Sequence, residues 1–304
     1  MIPEFPKFKN LELTDKKDIE KFTSKFPPYS DFNFISMWSW DIKGEMRLSQ
    51  LNNNLVVRFT DYITGKPFYS FLGKNKVNET ANALLNLSKE EEISQYLQLI
   101  PEEIVSKLNK NKFKSTEERG HFDYLVSVDR LMPHKGETRK LSSRRKLINK
   151  FKETKEFEIK LMDIGKKEIQ NKIRSVFTEW EMEVENDKNA TEHLHLALEK
   201  FFLAEKKFDN SILTYGAFIK NKLVGYSVSE KLGADHAVGH FQQADLKIFS
   251  GIYALLMHET APFFKSEGVT CINLEQDLSI PGLRKWKSSH NPIGFLKKYK
   301  VSAL

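Results

Sequence analysis

The densest gathering of chemically capable side chains lies near the end of the sequence. Glu275 and Asp277 follow the apolar run TCINL, and Arg284, Lys285 and Lys287 come just beyond the turn formers Pro281 and Gly282. A strand over TCINL carries the two carboxylates to its lip, and the spacing permits one acidic and one basic wall of a single cleft. Such a pair suits acyl transfer. The attacking amine or hydroxyl must lose a proton, a task for a carboxylate or histidine, while the tetrahedral oxyanion needs positive or hydrogen-bond-donating groups. Glu275 is the expected residue to orient or deprotonate an acceptor, with Asp277 beside it and Arg284 and Lys285 stabilising negative charge. A structural ion pair between Glu275 and Arg284 is the competing reading, and Trp286 is expected to pack rather than to stack on a substrate.

Further candidates lie upstream. His240 falls in the alternating stretch HAVGHFQQAD, on the face of Val238 and Gln242, where a buried, hydrogen-bonded role is favoured over general-base work. Of the consecutive Gln242 and Gln243, strand alternation turns one toward the cleft. Lys140, Arg144, Arg145, Lys146 and Lys150 crowd the polar side of an amphipathic segment whose apolar stripe is Leu141, Ile148 and Phe151. Arg144, Arg145 and Lys150 are therefore candidate contacts for a polyanion such as RNA, whose binding would weaken as salt is raised, and Lys287 is a further candidate substrate contact beside the C-terminal cluster. A solvated face, or a helix paired with the glutamates after Trp180, is the bland alternative.

These residues need a scaffold. Helices are expected over Asp15–Phe26 with Thr14 as N-cap, over residues 76–87 and over 102–110. An antiparallel meander is expected near 45–51, 55–59 and 67–72, with strands at 94–100, near Phe113 and at 122–128. The aromatic-rich DFNFISMWSW should wrap the core. After an interruption at Pro133 and Gly136 come a strand at 157–162, helices from Ile169 and over 192–207, and three closely spaced strands. A helix over 249–266 and the strand TCINLEQ complete the order. This gives an α/β protein with mixed sheets covered by helices, divided into residues 1–132 and 133–304.

Composition narrows the classes. With 40% apolar residues and 23 phenylalanines the chain can fill sizeable cores, which excludes disorder. The net charge of +7 favours anionic partners, RNA, CoA phosphates and phospholipid head groups among them. Cys271 is the single cysteine, so an internal disulfide and a thiolate zinc site are excluded, and a buried role is expected for it. No HExxH, EF-hand loop or close Cys/His array occurs, so no metal is expected; no GxGxxG or P-loop occurs either. The opening MIPEFPKFKN has no secretory pattern and no apolar run is long enough to cross a bilayer. A cytoplasmic protein is the expectation, with peripheral lipid contact left open.

Three strings, MWSWD at 37–41, RKLSSRRKLINKF at 139–151 and EQDLSIPGLRKWK at 275–287, with Phe295 and Tyr299 behind them, carry a resemblance. The sequence resembles the family homologous to the C-terminal catalytic domain of bacterial phosphatidylglycerol lysyltransferases, over nearly its whole length. That resemblance implies tandem Gcn5-related N-acyltransferase-like domains with the active cleft in the second. It also implies transfer of an aminoacyl group from a donor such as aminoacyl-tRNA to an amine or hydroxyl acceptor. Two alternatives stay open: an acyl-CoA-dependent N-acyltransferase, whose phosphate loop at the start of a helix Lys247 and Gly251 in DLKIFSGIY match imperfectly, Lys247 being the candidate phosphate contact, and a non-catalytic protein binding RNA or an anionic metabolite. No bound cofactor is implied beyond an aminoacyl-tRNA or acyl-CoA donor.

Overall fold

The computed structural model describes residues 1–61, 64–132, 146, 148–153, 156–184, 188–208, 211–249 and 251–304. Three sheets organise them. The first is an antiparallel meander of β1 (Lys9–Asn10), β2 (Arg47–Leu51), β3 (Asn54–Thr60) and β4 (Pro67–Leu72). Its pairs run Leu48 to Val57 and Val57 to Ser70, so the expected turns at NNN and TGK close hairpins. The second sheet combines β5 (Leu97–Pro101), β6 (Phe113–Glu117) and the terminal strand β14 (Lys298–Ala303), in the order β5-β14-β6.

The third sheet has seven strands in the order β13-β7-β12-β11-β10-β9-β8. These are β7 (Asp123–Ser127), β8 (Phe157–Leu161), β9 (Ile212–Ile219), β10 (Lys222–Leu232), β11 (His236–Ala244), β12 (Cys271–Asn273) and β13 (Gly294–Leu296). Only β11 and β12 pair in parallel. Across the division expected after residue 132, β7 of the first half sits inside this sheet, and β14 of the second half lies between β5 and β6.

Helices cover the sheets: α1 (Lys16–Thr23), α2 (Phe34–Trp40), α3 (Val77–Glu90), α4 (Glu102–Val105), α5 (Val128–Leu131), α6 (Lys167–Glu181), α7 (Lys188–Ala204), α8 (Ile252–Ser266) and α9 (Pro281–Ser288). The largest core cluster spans both halves, joining Ile35, Val57 and Phe71 to Phe177, Phe201 and Phe241. A second cluster under α8 packs Met257 and Phe264 on Tyr124, Val126 and Ile272.

Three local expectations are corrected. The segment after Asp31 does more than wrap the core: Asn33 accepts from the Ser36 amide at 2.9 Å and starts α2. Its period is masked because Phe34, Ile35, Ser36, Met37 and Ser39 are all buried. Thr14 does not cap α1, because the chain enters through a 3-10 turn in which buried Asp15 accepts from Lys9 at 2.8 Å and from the Glu12 amide at 2.9 Å. The helix expected to run to Lys110 stops at Val105; the Asn78 side chain takes the Asn109 amide at 2.8 Å and turns the chain toward β6.

Candidate functional site

The site forms where two parallel strands part. β11 and β12 pair only over His236–Val238 and Cys271–Asn273. Beyond Asn273 the chain follows β7 instead: the Leu274 amide donates to the Tyr124 carbonyl at 2.9 Å, and the Tyr124 amide to the Glu275 carbonyl at 3.2 Å. β11 meanwhile continues to Ala244 on its own course. The gap between them is lined by His240 from one side and Glu275 from the other.

His240 owes its direction to a bulge. Val228 pairs with Phe241 and Ser229 with Gly239, which leaves His240 as the extra residue of β11. Its neighbour Phe241 meets the Phe201 ring of α7, while His240 Nδ1 lies 3.3 Å from Ser36 Oγ of α2. Two consecutive strand residues therefore face one layer, which regular alternation forbids. His240 Nε2 lies 3.5 Å from Glu230 Oε2, and Nδ1 lies 3.7 Å from Glu275 Oε1. Glu230 is buried and accepts from Asn33 Nδ2 at 2.6 Å. Burial alone would lower the His240 pKa, but the Glu230 and Glu275 carboxylates outweigh it and raise it to about 9. The ring is an imidazolium at neutral pH, held between two carboxylates.

Glu275 is the member of this cluster that reaches solvent, its side chain 22% exposed against 2% for His240 and 3% for Glu230. Its Oε1 accepts from Ser36 Oγ at 3.3 Å. The backbone here is left-handed at three non-glycine positions, with φ +59° at Glu275, +52° at Leu278 and +62° at Ser279. Such conformations cost of order 1–3 kcal/mol each. They are held by the Asn273 side chain on the Glu275 amide at 2.6 Å, by Gly120 accepting from the Leu278 amide at 2.8 Å, and by Asp277 on the Ser279 amide at 2.8 Å. A Cβ at Gly120 would stand 2.4 Å from Ser279 Oγ and 3.1 Å from the Ser279 amide nitrogen, so a larger residue there requires Ser279 to shift.

The basic wall is arranged differently from the spacing argument. Arg284 pairs with Asp277, not Glu275, through Nε to Oδ2 at 2.8 Å and Nη2 to Oδ1 at 2.9 Å. Arg119 Nη1 at 3.1 Å and the Tyr124 hydroxyl at 2.6 Å complete the fully buried Asp277 carboxylate. Burial would raise its pKa, but Arg284, Tyr124 and the Ser279 amide bring it down to about 2. Lys287 points inward, buried, with its ammonium on the Gln276 carbonyl. Burial pushes its pKa down to about 8, against the pull of Glu275, Asp123 and Asp277. Lys285 is exposed on α9, and Trp286 packs edge-on to Tyr253 and His290.

The family model described as phosphatidylglycerol lysyltransferase, C-terminal, matches residues 25–302. The chain belongs to this family. Among solved structures, a conserved protein of unknown function from Bacteroides thetaiotaomicron is 22% identical with a TM-score of 0.81, covering 100% of both chains. L-PGS from Bacillus licheniformis is 14% identical with a TM-score of 0.62, covering 99% of this chain and 93% of that one. FemX is 9% identical with a TM-score of 0.55, covering 97% of this chain and 96% of that one. These likenesses show the fold, a mixed α/β arrangement of sheets covered by helices. No curated protein matches the sequence.

In this lysyltransferase-family chain the remaining candidates are dispersed. Gln243 accepts from the Tyr226 hydroxyl on the α6 side of the sheet, and Gln242 Nε2 is buried with no hydrogen-bond partner among the described residues. Lys247 pairs with Glu183 at 2.6 Å, one of the glutamates after Trp180. Lys150 is exposed on the helical residues 148–153, which Ile148 and Phe151 anchor to Leu255. Arg144 and Arg145 lie outside the described residues. Cys271 is buried and its thiol is pushed up to about 11 by that burial. No cluster of metal-ligating side chains occurs among the described residues, and none of their helices is long and apolar enough to cross a membrane. Ser36, Asn33, Glu230 and Arg119 also join these networks without being marked by any spacing among the candidates. For Glu230 a signal existed, since it and His240 fall on consecutive strands joined by the turn at Gly233.

Proposed function

We propose that this chain transfers an aminoacyl group, or another acyl group, from an activated donor to an amine or hydroxyl acceptor at the gap between β11 and β12. The observation that carries the reading is Glu275, an accessible carboxylate on a left-handed corner, backed by a buried His240 imidazolium. The acceptor binds against Glu275, and its nitrogen or oxygen attacks the donor's carbonyl carbon. Its proton passes to Glu275 and then to the donor oxygen or sulfur as that bond breaks. The oxyanion of the tetrahedral centre is met by the basic wall of α9. In that wall Arg284 is oriented by Asp277, Lys285 is exposed and Lys287 is buried.

Membership of the lysyltransferase family and the fold shared with L-PGS support an aminoacyl-tRNA as donor. Arg144, Arg145, Lys150 and Lys247 are the proposed guides for its backbone, in a cytoplasmic setting. The test is transfer of labelled aminoacyl groups from charged tRNA, with acyl-CoA as the parallel arm, into an acceptor extract. Parent protein is expected to give product and the Glu275→Gln variant to give it about 10²- to 10⁴-fold more slowly. Equal product from both would overturn the role of Glu275, and product from acyl-CoA alone would overturn the tRNA donor.

A further inference from the structure

The meander of the first half carries a polar cleft whose lining shares no residue with the candidate site. Arg47 of β2 and Arg58 of β3 are directly opposite each other, and Arg58 is in turn opposite Tyr69 of β4. Like charges at facing positions of an antiparallel pair repel and are destabilising. Both arginines are only partly exposed, which weakens the screening that water would give. Together with Phe8, Tyr69, Glu91 and Ile93 they line a cleft of about 570 Å³ open to solvent.

The charges in that cleft do not cancel. Glu91 lies 3.8 Å from Arg58 and accepts from the Tyr69 hydroxyl at 2.8 Å, so one carboxylate faces two guanidiniums. Arg47 uses Nη1 on the Gly44 and Met46 carbonyls at 3.0 and 3.2 Å, which fixes the side chain without neutralising it. Phe8 leans on Tyr69 with ring centroids 5.8 Å apart and gives the cleft an apolar wall. A fixed, paired cationic floor beside an aromatic wall is a receptor for an anion attached to an apolar body.

We infer that this cleft binds a small molecule bearing a phosphate or carboxylate group, held between Arg47 and Arg58 with its apolar part against Phe8 and Ile93. This site is independent of the transfer chemistry proposed above. Calorimetric titration of the full chain with phenyl phosphate, benzoate and inorganic phosphate tests it. Phenyl phosphate or benzoate is expected to bind saturably, and inorganic phosphate more weakly for want of the apolar contact. Arg47→Met and Arg58→Met should each weaken binding about tenfold, the worth of one charged hydrogen bond. Each should also leave the unliganded protein at least as stable as the parent, because the facing repulsion is gone. Glu91→Gln keeps an acceptor for Tyr69 and should tighten binding, which preserves the test if an arginine variant fails to fold. No saturable heat with any of the three probes, or equal affinity in parent, Arg58→Met and Glu91→Gln, would overturn the inference.

Discussion

Replacing Asp277 by Asn isolates the anchor of the basic wall. The carboxylate is fully buried and receives both arms of Arg284, together with Arg119, Tyr124 and the Ser279 amide. Its pKa falls from an ordinary 3.8 to about 2, a difference worth about 2 kcal/mol of folding stability at neutral pH. A depressed carboxyl pKa contributes in full above the unfolded value and is lost as pH falls through the folded one. The anchor is therefore complete above about pH 4 and gone below about pH 2. Arg119 and Arg284 have side chains 39% and 42% exposed, so water can take up both when the charge is removed, and the loss stays near that figure. For 304 residues, about 2 kcal/mol corresponds to roughly 3 °C in Tm. Thermal melts of parent and Asp277→Asn between pH 7 and pH 2 read this directly: a gap of roughly that size at pH 7, closing toward pH 2. A variant that melts with the parent at pH 7, or a gap that stays constant down to pH 2, would refute the reasoning.

Other perturbations separate chemistry from architecture. Glu275→Gln should lower the transfer rate by about 10²- to 10⁴-fold and also bring the His240 titration below about 9, because one of its two carboxylates is gone; an unmoved midpoint by NMR would contradict the pairing. Lys287→Met should raise stability at pH 7 by about 2 kcal/mol, since a lysine brought from 10.5 to about 8 opposes folding below pH 8 and the gain is only partly offset by the orphaned Gln276 carbonyl. That advantage should shrink as pH rises from 8 toward 10.5, and a less stable variant in urea titration would count against it. Lys298→Met should cost about 4 kcal/mol in the same titration, because the buried Asp31 and Asp123 lose the ammonium they share; a variant as stable as the parent would refute the account. Residues 133–304 alone should show no cooperative melt, having lost β7 and the α2 contacts; a sharp transition would show that this half folds unaided.

Where the pattern was local, the sequence was readable. Strands β2 to β4 and β9 to β11 announce themselves by short apolar runs between turn formers, and α6 by Ile173, Val176, Phe177 and Trp180 at helical spacing. The buried face of Cys271 follows from its apolar neighbours. What stayed hidden depends on long-range register. Helix α2 has too little amphipathic contrast to show a period, and the bulge at His240 is defined only by its pairing with β10. Proximity in sequence suggested Arg284 for Glu275, but the left-handed turn from Glu275 to Ser279 sends the two carboxylates apart: one to His240, the other to the arginines. The partners of Asp277 at Arg119 and Tyr124 lie more than 150 residues away, a separation no spacing rule reaches.

The exchange of strands explains why the candidate site can carry so much buried charge. β7 and β14 each cross to the other half's sheet, and the polar groups they bring meet at the seam: Asp123 on β7 receives Ser30, Asn273 and Lys298, the last from β14. Asn273 uses the same side chain to hold the Glu275 amide, so the inner network and the left-handed corner share a residue. Strain at Glu275 is thereby offset by a local Asx-type bond from Asn273, whose side chain is itself fixed by Pro28 and Asp123 of the first half. A site built this way has its polar groups held by partners from both halves. Charge that develops on a substrate there meets groups already oriented, which is the condition under which fixed dipoles and ions lower a barrier most.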